Sequence, residues 1–408
     1  MSQKPSKTQL ANTVISSAIV EGPFEHEEQR YRGFGCGISI PYSTAEKYKE
    51  ALQDLYSQDK TVPETYTLES FEKELAFFLA PYVAAGAQID NLAITGFLKE
   101  ISAVPIVQHE VYRPISGVTL VHAQEPVVLG PFTIYSTALH AVQLSTVVGG
   151  RLTSSLVDNA AAYVIGVKLM TREDAKALDL ADALFERFER AIRFMIGRPK
   201  TSYDVGILNY SGSTRNRAFV FTDDWGSSST QRKGAVSELP IDAAYLVNPA
   251  NGFDAIWSIF DARSPSEMKQ RVLLAIDWIG ESYGENVVSS AFIKAAIALE
   301  ILFNEQKNDF LSKGIAAQIS ESVALLLGSD LDSKLGTEKR LRELYGIRSG
   351  IAHAGKNDIK ASDLDSIQSL ARQSVIQVMV NPAFKDVHKA ADMTLLFKRL
   401  KYGGAPVD

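Results

Sequence analysis

The strongest periodic pattern in the chain runs from Arg172 to Ile196, where Leu178, Ala181, Phe185, Phe188, Ile192 and Met195 recur at three and four positions and Gly197 follows. That period predicts one helix with an apolar stripe facing a sheet or another helix, closed by a glycine at the end. Residues up to about 260 mix this period with the alternation of strands. Strand-like segments lie near Phe34 to Ile40, Val118 to Val121, Phe132 to Tyr135, Tyr163 to Leu169, Asp204 to Leu208 and Arg217 to Phe221. Ser43-Thr-Ala-Glu46 has the form of a capping box opening a helix to about Tyr56, and another helix spans roughly Leu68 to Ala84. Gly226 to Thr230, followed by Gln-Arg-Lys-Gly, reads as a flexible polar loop.

From Ser264 onward only the helical period remains. Ser264-Pro265-Ser266-Glu267 offers a Ser N-cap with proline at the first helical position, and Met268, Val272, Ala275, Ile276 and Ile279 make the stripe of the helix that follows. A second helix, about Val287 to Glu305, is apolar around most of its circumference, which places it at the centre of a bundle. Further helices are expected over about Ile315 to Leu327, Glu338 to Ala352, from Ser362-Asp-Leu-Asp365 onward, and Pro382 to Leu400. The fold class is therefore α+β. An N-terminal mixed domain over residues 1–263 is expected to precede an all-α helical bundle over residues 264–408.

Composition narrows the function. At 408 residues the chain is long for one core, and 46% hydrophobic with 22% charged residues excludes a disordered or fibrous protein. A net charge of -6 argues against coating nucleic acid by charge alone, although a local positive site remains open. Arg215, Arg217, Arg232 and Lys233 gather positive charge near one expected hairpin, either as a solvated surface or as a wider RNA-binding face. Cys36 is the only cysteine, so neither a disulfide framework nor a cysteine-rich zinc site is available. The start of the chain lacks the basic-then-apolar pattern of a signal peptide, and no apolar run is long enough to span a bilayer. A cytoplasmic protein with no membrane association is expected.

Candidate chemistry gathers at the end of the fourth helix of the bundle, in Arg348-Ser-Gly-Ile-Ala-His353. A histidine can take the proton from a ribose 2′-hydroxyl or give one to the leaving oxygen, while a guanidinium holds the phosphate. Five positions on a regular helix turn the chain by about 140° and advance it by about 7.5 Å, so the two side chains do not share a stripe. The long arginine stem, and a helix end loosened by Gly350, Ala352, Ala354 and Gly355, are the expected means of bringing them together. One histidine supplies half of the acid-base chemistry, which is a reason to expect a symmetric dimer. The pair by itself is ordinary: about 0.3 such spacings arise by chance in a chain of this size. The bland reading is a salt bridge for Arg348 and a helix C-terminal cation for His353.

The surrounding segments add weight. Arg271-Val-Leu-Leu-Ala-Ile-Asp-Trp-Ile, Ala296-Ile-Ala-Leu-Glu-Ile-Leu-Phe303, Gly314-Ile-Ala-Ala-Gln-Ile-Ser-Glu-Ser-Val-Ala-Leu-Leu-Leu-Gly328 and Leu344-Tyr-Gly-Ile-Arg-Ser-Gly-Ile-Ala-His-Ala-Gly355 occur in an order and spacing that resembles the HEPN superfamily, specifically the Apea-like HEPN domains of bacterial defence proteins. The resemblance covers about residues 264 to 380. It implies a dimeric, metal-independent endoribonuclease that uses no cofactor, with Arg348 and His353 in the roles above and Ser349 as the polar residue after the arginine. RNA, with tRNA an obvious class of target, is the implied substrate, cut in anti-phage defence or abortive infection. The N-terminal half would then restrain the enzyme or sense a phage-derived trigger or inhibitor.

Other residues carry two readings each. Glu300 lies on a stripe that otherwise looks buried, so it either orients Arg348 or His353, as an acid near the motif does in the family, or makes a structural ion pair. Tyr345 either stacks on RNA or belongs to the core, and Lys356 either contacts phosphate or is a solvated lysine. The histidines His26, His109, His122, His140 and His388 are scattered, so no metal site is expected. Gly350 to Gly355 with Lys356 matches a nucleotide loop by chance only, because Asn357 stands where Ser or Thr is needed and a helix precedes it. The alternative to a nuclease is a bundle that binds RNA or protein without cleaving.

Overall fold

A computed structural model of the protein describes residues 4–21, 30–148, 162–197, 203–208, 215–222, 225–232, 237–262, 264–304, 314–354 and 358–403. His26, Lys233, Gly355, Lys356 and Asn357 lie outside the described residues. The architecture is α+β, mostly helical with small sheets. The chain forms two compact units, one of residues 1–111 with 168–181 and the other of residues 112–167 with 182–408. The boundary expected at Ser264 therefore falls inside the second unit.

In the first unit, α1 (Lys7–Ser17) opens on a capping box of Ser6 and Gln9, a helix that the polar sequence did not announce. It is followed by β1 (Ile19–Val20), β2 (Arg30–Gly33) and β3 (Ile38–Pro41), an antiparallel sheet of order β1-β3-β2. The strand expected from Phe34 starts only at Ile38, because Gly35 and Gly37 take positive φ and bend the chain first. Next come α2 (Ala45–Tyr56), α3 (Thr61–Thr65), α4 (Leu68–Ala85) and α5 (Asn91–Ala103). The capping box expected at Ser43 is not made. Thr44 is the N-cap of α2, and its hydroxyl donates to Ser17 O at 2.7 Å instead. Leu10, Val14, Tyr48, Leu55, Phe71 and Leu79 form the core.

The second unit begins within β4 (Val107–Pro114) and holds β5 (Val118–Thr119), β6 (Val127–Leu129), β7 (Phe132–Ser136) and α6 (Ala141–Val148); β8 (Tyr163–Thr171) and α7 (Asp174–Ile196) follow, with residues 168–181 of these two elements counted in the first unit. β4, β8, β7 and β6 make one sheet in that order. The stripe of α7 is buried at Ala181, Phe185, Phe188, Ile192 and Met195, whereas Leu178 is exposed. β9 (Arg215–Thr222) and β10 (Trp225–Arg232) pair antiparallel from Thr222↔Trp225 to Arg215↔Arg232. Gly226 to Thr230 is thus strand and not loop, drawn into register by its β-prone partner. Asp204 to Leu208 forms no strand; the carboxylate of buried Glu189 accepts from the backbone N–H groups of Ile207 and Leu208 at 2.6 and 2.9 Å. β11 (Leu239–Pro240) runs parallel to β5.

After α8 (Phe253–Phe260) come α9 (Glu267–Gly284), α10 (Val288–Phe303), α11 (Ile315–Leu327), α12 (Leu331–Ala354), α13 (Ala361–Val380) and α14 (Ala390–Lys401). Ser266, not Ser264, caps α9, accepting from Lys269 N at 3.4 Å. α10 packs against α9, α11, α12 and α13, the central position its all-round apolarity predicts. α14 adds to the bundle through α11.

Side chains from both sides of Ser264 share this core. On the N-terminal side the Phe132 ring meets Phe188 and Phe260 at centroid distances of 4.9 and 5.7 Å, and the contacts that cross Ser264 run from α7. α7 approaches α9 so closely that a Cβ at Gly280 would fall on the carbonyl of Arg190. Arg187 reaches Asp277 at 2.9 Å, and Arg372 on α13 donates to the carbonyls of Phe194 and Met195 at 2.7 and 2.8 Å. The C-terminal part of α7 in effect joins the bundle, so the compositional change at Ser264 falls inside one compact unit.

Candidate functional site

α10 and α12 bring Glu300 and Arg348 together. Tyr345, one turn before Arg348, is buried and its hydroxyl donates to Ala296 O at 3.5 Å, so α12 is seated on α10 before the charged pair is reached. Arg348 Nε then lies 3.2 Å from Glu300 Oε1, and Nη2 donates to Oε2 at 3.4 Å. The Nε contact is an ion pair without hydrogen-bond alignment, and that nitrogen is buried. The pair is half-enclosed, with side-chain exposures of 31% for Arg348 and 21% for Glu300. It holds the guanidinium through charge while leaving one edge to solvent.

α10 is fixed at both ends. At its start, Glu285 accepts from the backbone of Asn286 and Val287, from the Ser290 hydroxyl and from Lys294 Nζ, which lowers its carboxyl to about 2. At its finish, one turn beyond Glu300, Arg271 Nη1 donates to Ile301 O at 3.0 Å and to Asn304 O at 2.9 Å, and Gln318 donates to Phe303 O at 3.2 Å. These groups occupy carbonyls that a helix end leaves unpaired. Sequence reasoning did not assign this role to Arg271. The available signal was an arginine one turn after Glu267 at the edge of an apolar stripe, where the two form an i,i+4 pair at 3.1 Å.

Ser349 and His353 are exposed, and His353 stands in the last turn of α12, where the helix dipole favours a cation. The loosening expected between Gly350 and His353 is not present. α12 remains helical through Ala354, which keeps the five-position offset at about 140° and 7.5 Å. Arg348 turns inward to Glu300 while His353 stays in solvent. One chain therefore presents Arg348, Ser349 and His353 around a helix end without drawing the arginine and histidine onto one stripe.

The other expected contacts divide. Burial, reinforced by the Glu300 charge, pushes the Tyr345 hydroxyl well above its ordinary range, and the residue is only 6% exposed. Tyr345 thus takes the core position and offers no face for a base to stack on. His140 is also structural: Nδ1 accepts from Ser136 N at 3.0 Å, and Nε2 lies 3.1 Å from Gln124 O. Among the described residues no group of three or more His, Cys, Asp or Glu side chains is arranged to hold a metal ion. No helix among them is long and apolar enough to cross a membrane. A scan of protein-family models and searches of curated proteins and of solved structures return no match for this chain.

Proposed function

We propose that the protein is a metal-independent endoribonuclease of the HEPN type. The observation that carries this reading is the charge-held Arg348 beside exposed Ser349 and His353 at the end of α12, paired to Glu300 on an α10 whose ends are held by Glu285 and Arg271. His353 removes the proton from a ribose 2′-hydroxyl, the oxygen attacks the adjacent phosphorus, and the 5′-oxygen leaves, giving a 2′,3′-cyclic phosphate end. Arg348 holds the phosphate and balances its developing charge, with Glu300 as the positioning residue behind it. Protonation of the leaving oxygen needs a second acid, which a second copy's helix end supplies in a homodimer. RNA is the substrate, with tRNA a candidate class, and anti-phage defence the setting that the sequence resemblance suggests. The N-terminal segments restrain or trigger the enzyme.

The test is incubation of the purified protein with total RNA in EDTA, beside His353→Ala. Cleavage that survives the chelator, leaves cyclic phosphate ends and vanishes in the variant is expected. Cleavage undiminished in His353→Ala would overturn the site. RNA binding without cleavage would favour the non-catalytic alternative, which the regular helix through His353 also supports.

A further inference from the structure

Arg372 differs from the other enclosed arginines of the second unit. Arg187, Arg271, Arg340 and Arg348 each reach a carboxylate within ion-pair distance. Arg372 has none among the described residues. Its Nε and Nη2 donate to the last carbonyls of α7, and its guanidinium carbon sits 5.7 Å from the Phe194 ring centroid and 5.9 Å from that of Phe253. Gly197 is required beside it: its φ is +61°, and a Cβ there would come within 2.6 Å of Arg372 Nε. Two carbonyls and two ring faces offset a desolvated cation only in part.

A cavity of about 240 Å³ opens next to this guanidinium, lined also by Gly197, Tyr283, Asp365, Gln368, Ser369 and Gln373. Its donors are underused. Among the described residues neither Arg372 Nη1 nor the Tyr283 hydroxyl has a hydrogen-bond partner. Ser369 Oγ accepts from Gln373 Nε2 at 3.1 Å, which leaves its own O–H to give. Gln368 is committed to Ser282 Oγ at 2.9 Å and serves as wall. Guanidinium, phenol and hydroxyl are the donor set of an oxyanion site. Asp365 is the single carboxylate on the lining, and a carboxylate only accepts.

We propose that this cavity binds inorganic phosphate, with Arg372, Tyr283 and Ser369 donating to its oxygens and Asp365 accepting from its P–OH. The acid that would repel any oxyanion becomes a selector, because hydrogen phosphate carries a proton to give and sulfate has none. The bound ion neutralises Arg372 at the place where α7 meets α13, and so tightens the joint between the sheet-bearing half and the bundle.

The experiment is calorimetric titration of the full chain with inorganic phosphate and with sulfate at pH 7.5 and constant ionic strength. Wild type is expected to bind phosphate saturably and about tenfold more tightly than sulfate, the value of one charge-assisted hydrogen bond. Asp365→Asn should raise sulfate affinity about tenfold and erase the preference, an effect that a merely structural acid would not produce. Tyr283→Phe should weaken phosphate about tenfold with the fold intact, and it keeps the test decisive if Arg372→Lys, which disturbs the α7 end, fails to fold. A third titrant, glycerol 3-phosphate, separates the sources: tighter binding than free phosphate assigns the site to a phosphate monoester, weaker binding to the ion itself. Absence of saturable binding in both wild type and Asp365→Asn, or equal phosphate and sulfate affinities unchanged by Asp365→Asn and Tyr283→Phe, would overturn the proposal.

Discussion

Arg187 meets Asp277 across α7 and α9 at 2.9 Å, and Arg348 meets Glu300 across α12 and α10 at 3.2 Å. The two pairs are alike in chemistry and differ in surroundings. Asp277 is only 10% exposed, and its neighbours Ala275, Ile276 and Ile279 are fully buried. Burial accordingly pushes its carboxyl above the usual range, against the pull of Arg187 and Arg190. Glu300 and Arg348 keep an edge in solvent, and exposed Ser349 and His353 follow on the same helix. The enclosed pair joins two helices; the open one holds a cation where a ligand can compete for it.

Substitutions break this contrast in a definite order. Gly280→Ala forces α9 away from the Arg190 carbonyl, so it should cost about 3 kcal/mol in chemical denaturation even though alanine favours helices. A stabilising outcome would mean that α7 and α9 are not in contact. Asp277→Ala leaves Arg187 without its acid and should cost about 2 kcal/mol, reduced from the fully buried value because Arg187 is 35% exposed.

Glu285→Gln weakens the start of α10 by about 1 kcal/mol at neutral pH. Its folded carboxyl titrates at about 2, below the ordinary 4.5, so its contribution is present above pH 4.5 and is lost as pH falls towards 2. Denaturation curves of wild type and variant should therefore converge across that window. Arg348→Ala should change stability least, within about 0.5 kcal/mol, while RNA cleavage falls about 100-fold or more. A stability loss as large as that of Asp277→Ala would make the Glu300 pair structural.

The sequence disclosed the elements whose period was long and whose ends were marked. α7 with Gly197 and the central α10 are the clearest cases. It did not disclose α1, whose capping box precedes a short and weakly apolar stretch, nor β10, whose Gly-Ser-Ser-Ser-Thr residues form a strand only because β9 lies beside them. Local propensity is overridden there by a partner. Within the site, Glu300 beside Arg348 was legible as a carboxylate on a buried stripe that needed a cation. Tyr345 was ambiguous from its position on the helix, and burial against Ala296 decides it. The Arg372 cavity was not legible at all. Its residues come from three helices, and the bond from Arg372 to Phe194 spans 178 positions.

Interleaved chain order has a consequence for synthesis. Residues 112–167 emerge from the ribosome before 168–181, for which the first unit must wait, and α7 must wait longer still for Arg372 to cap it. Closing such distant pairings is slow and exposes apolar faces while it lasts, so the growing chain should lean on chaperones more than two consecutive domains would. For the same reason no single cut parts one unit cleanly from the other, and a fragment starting at Ser264 would carry the Gly280 groove into water with nothing to fill it.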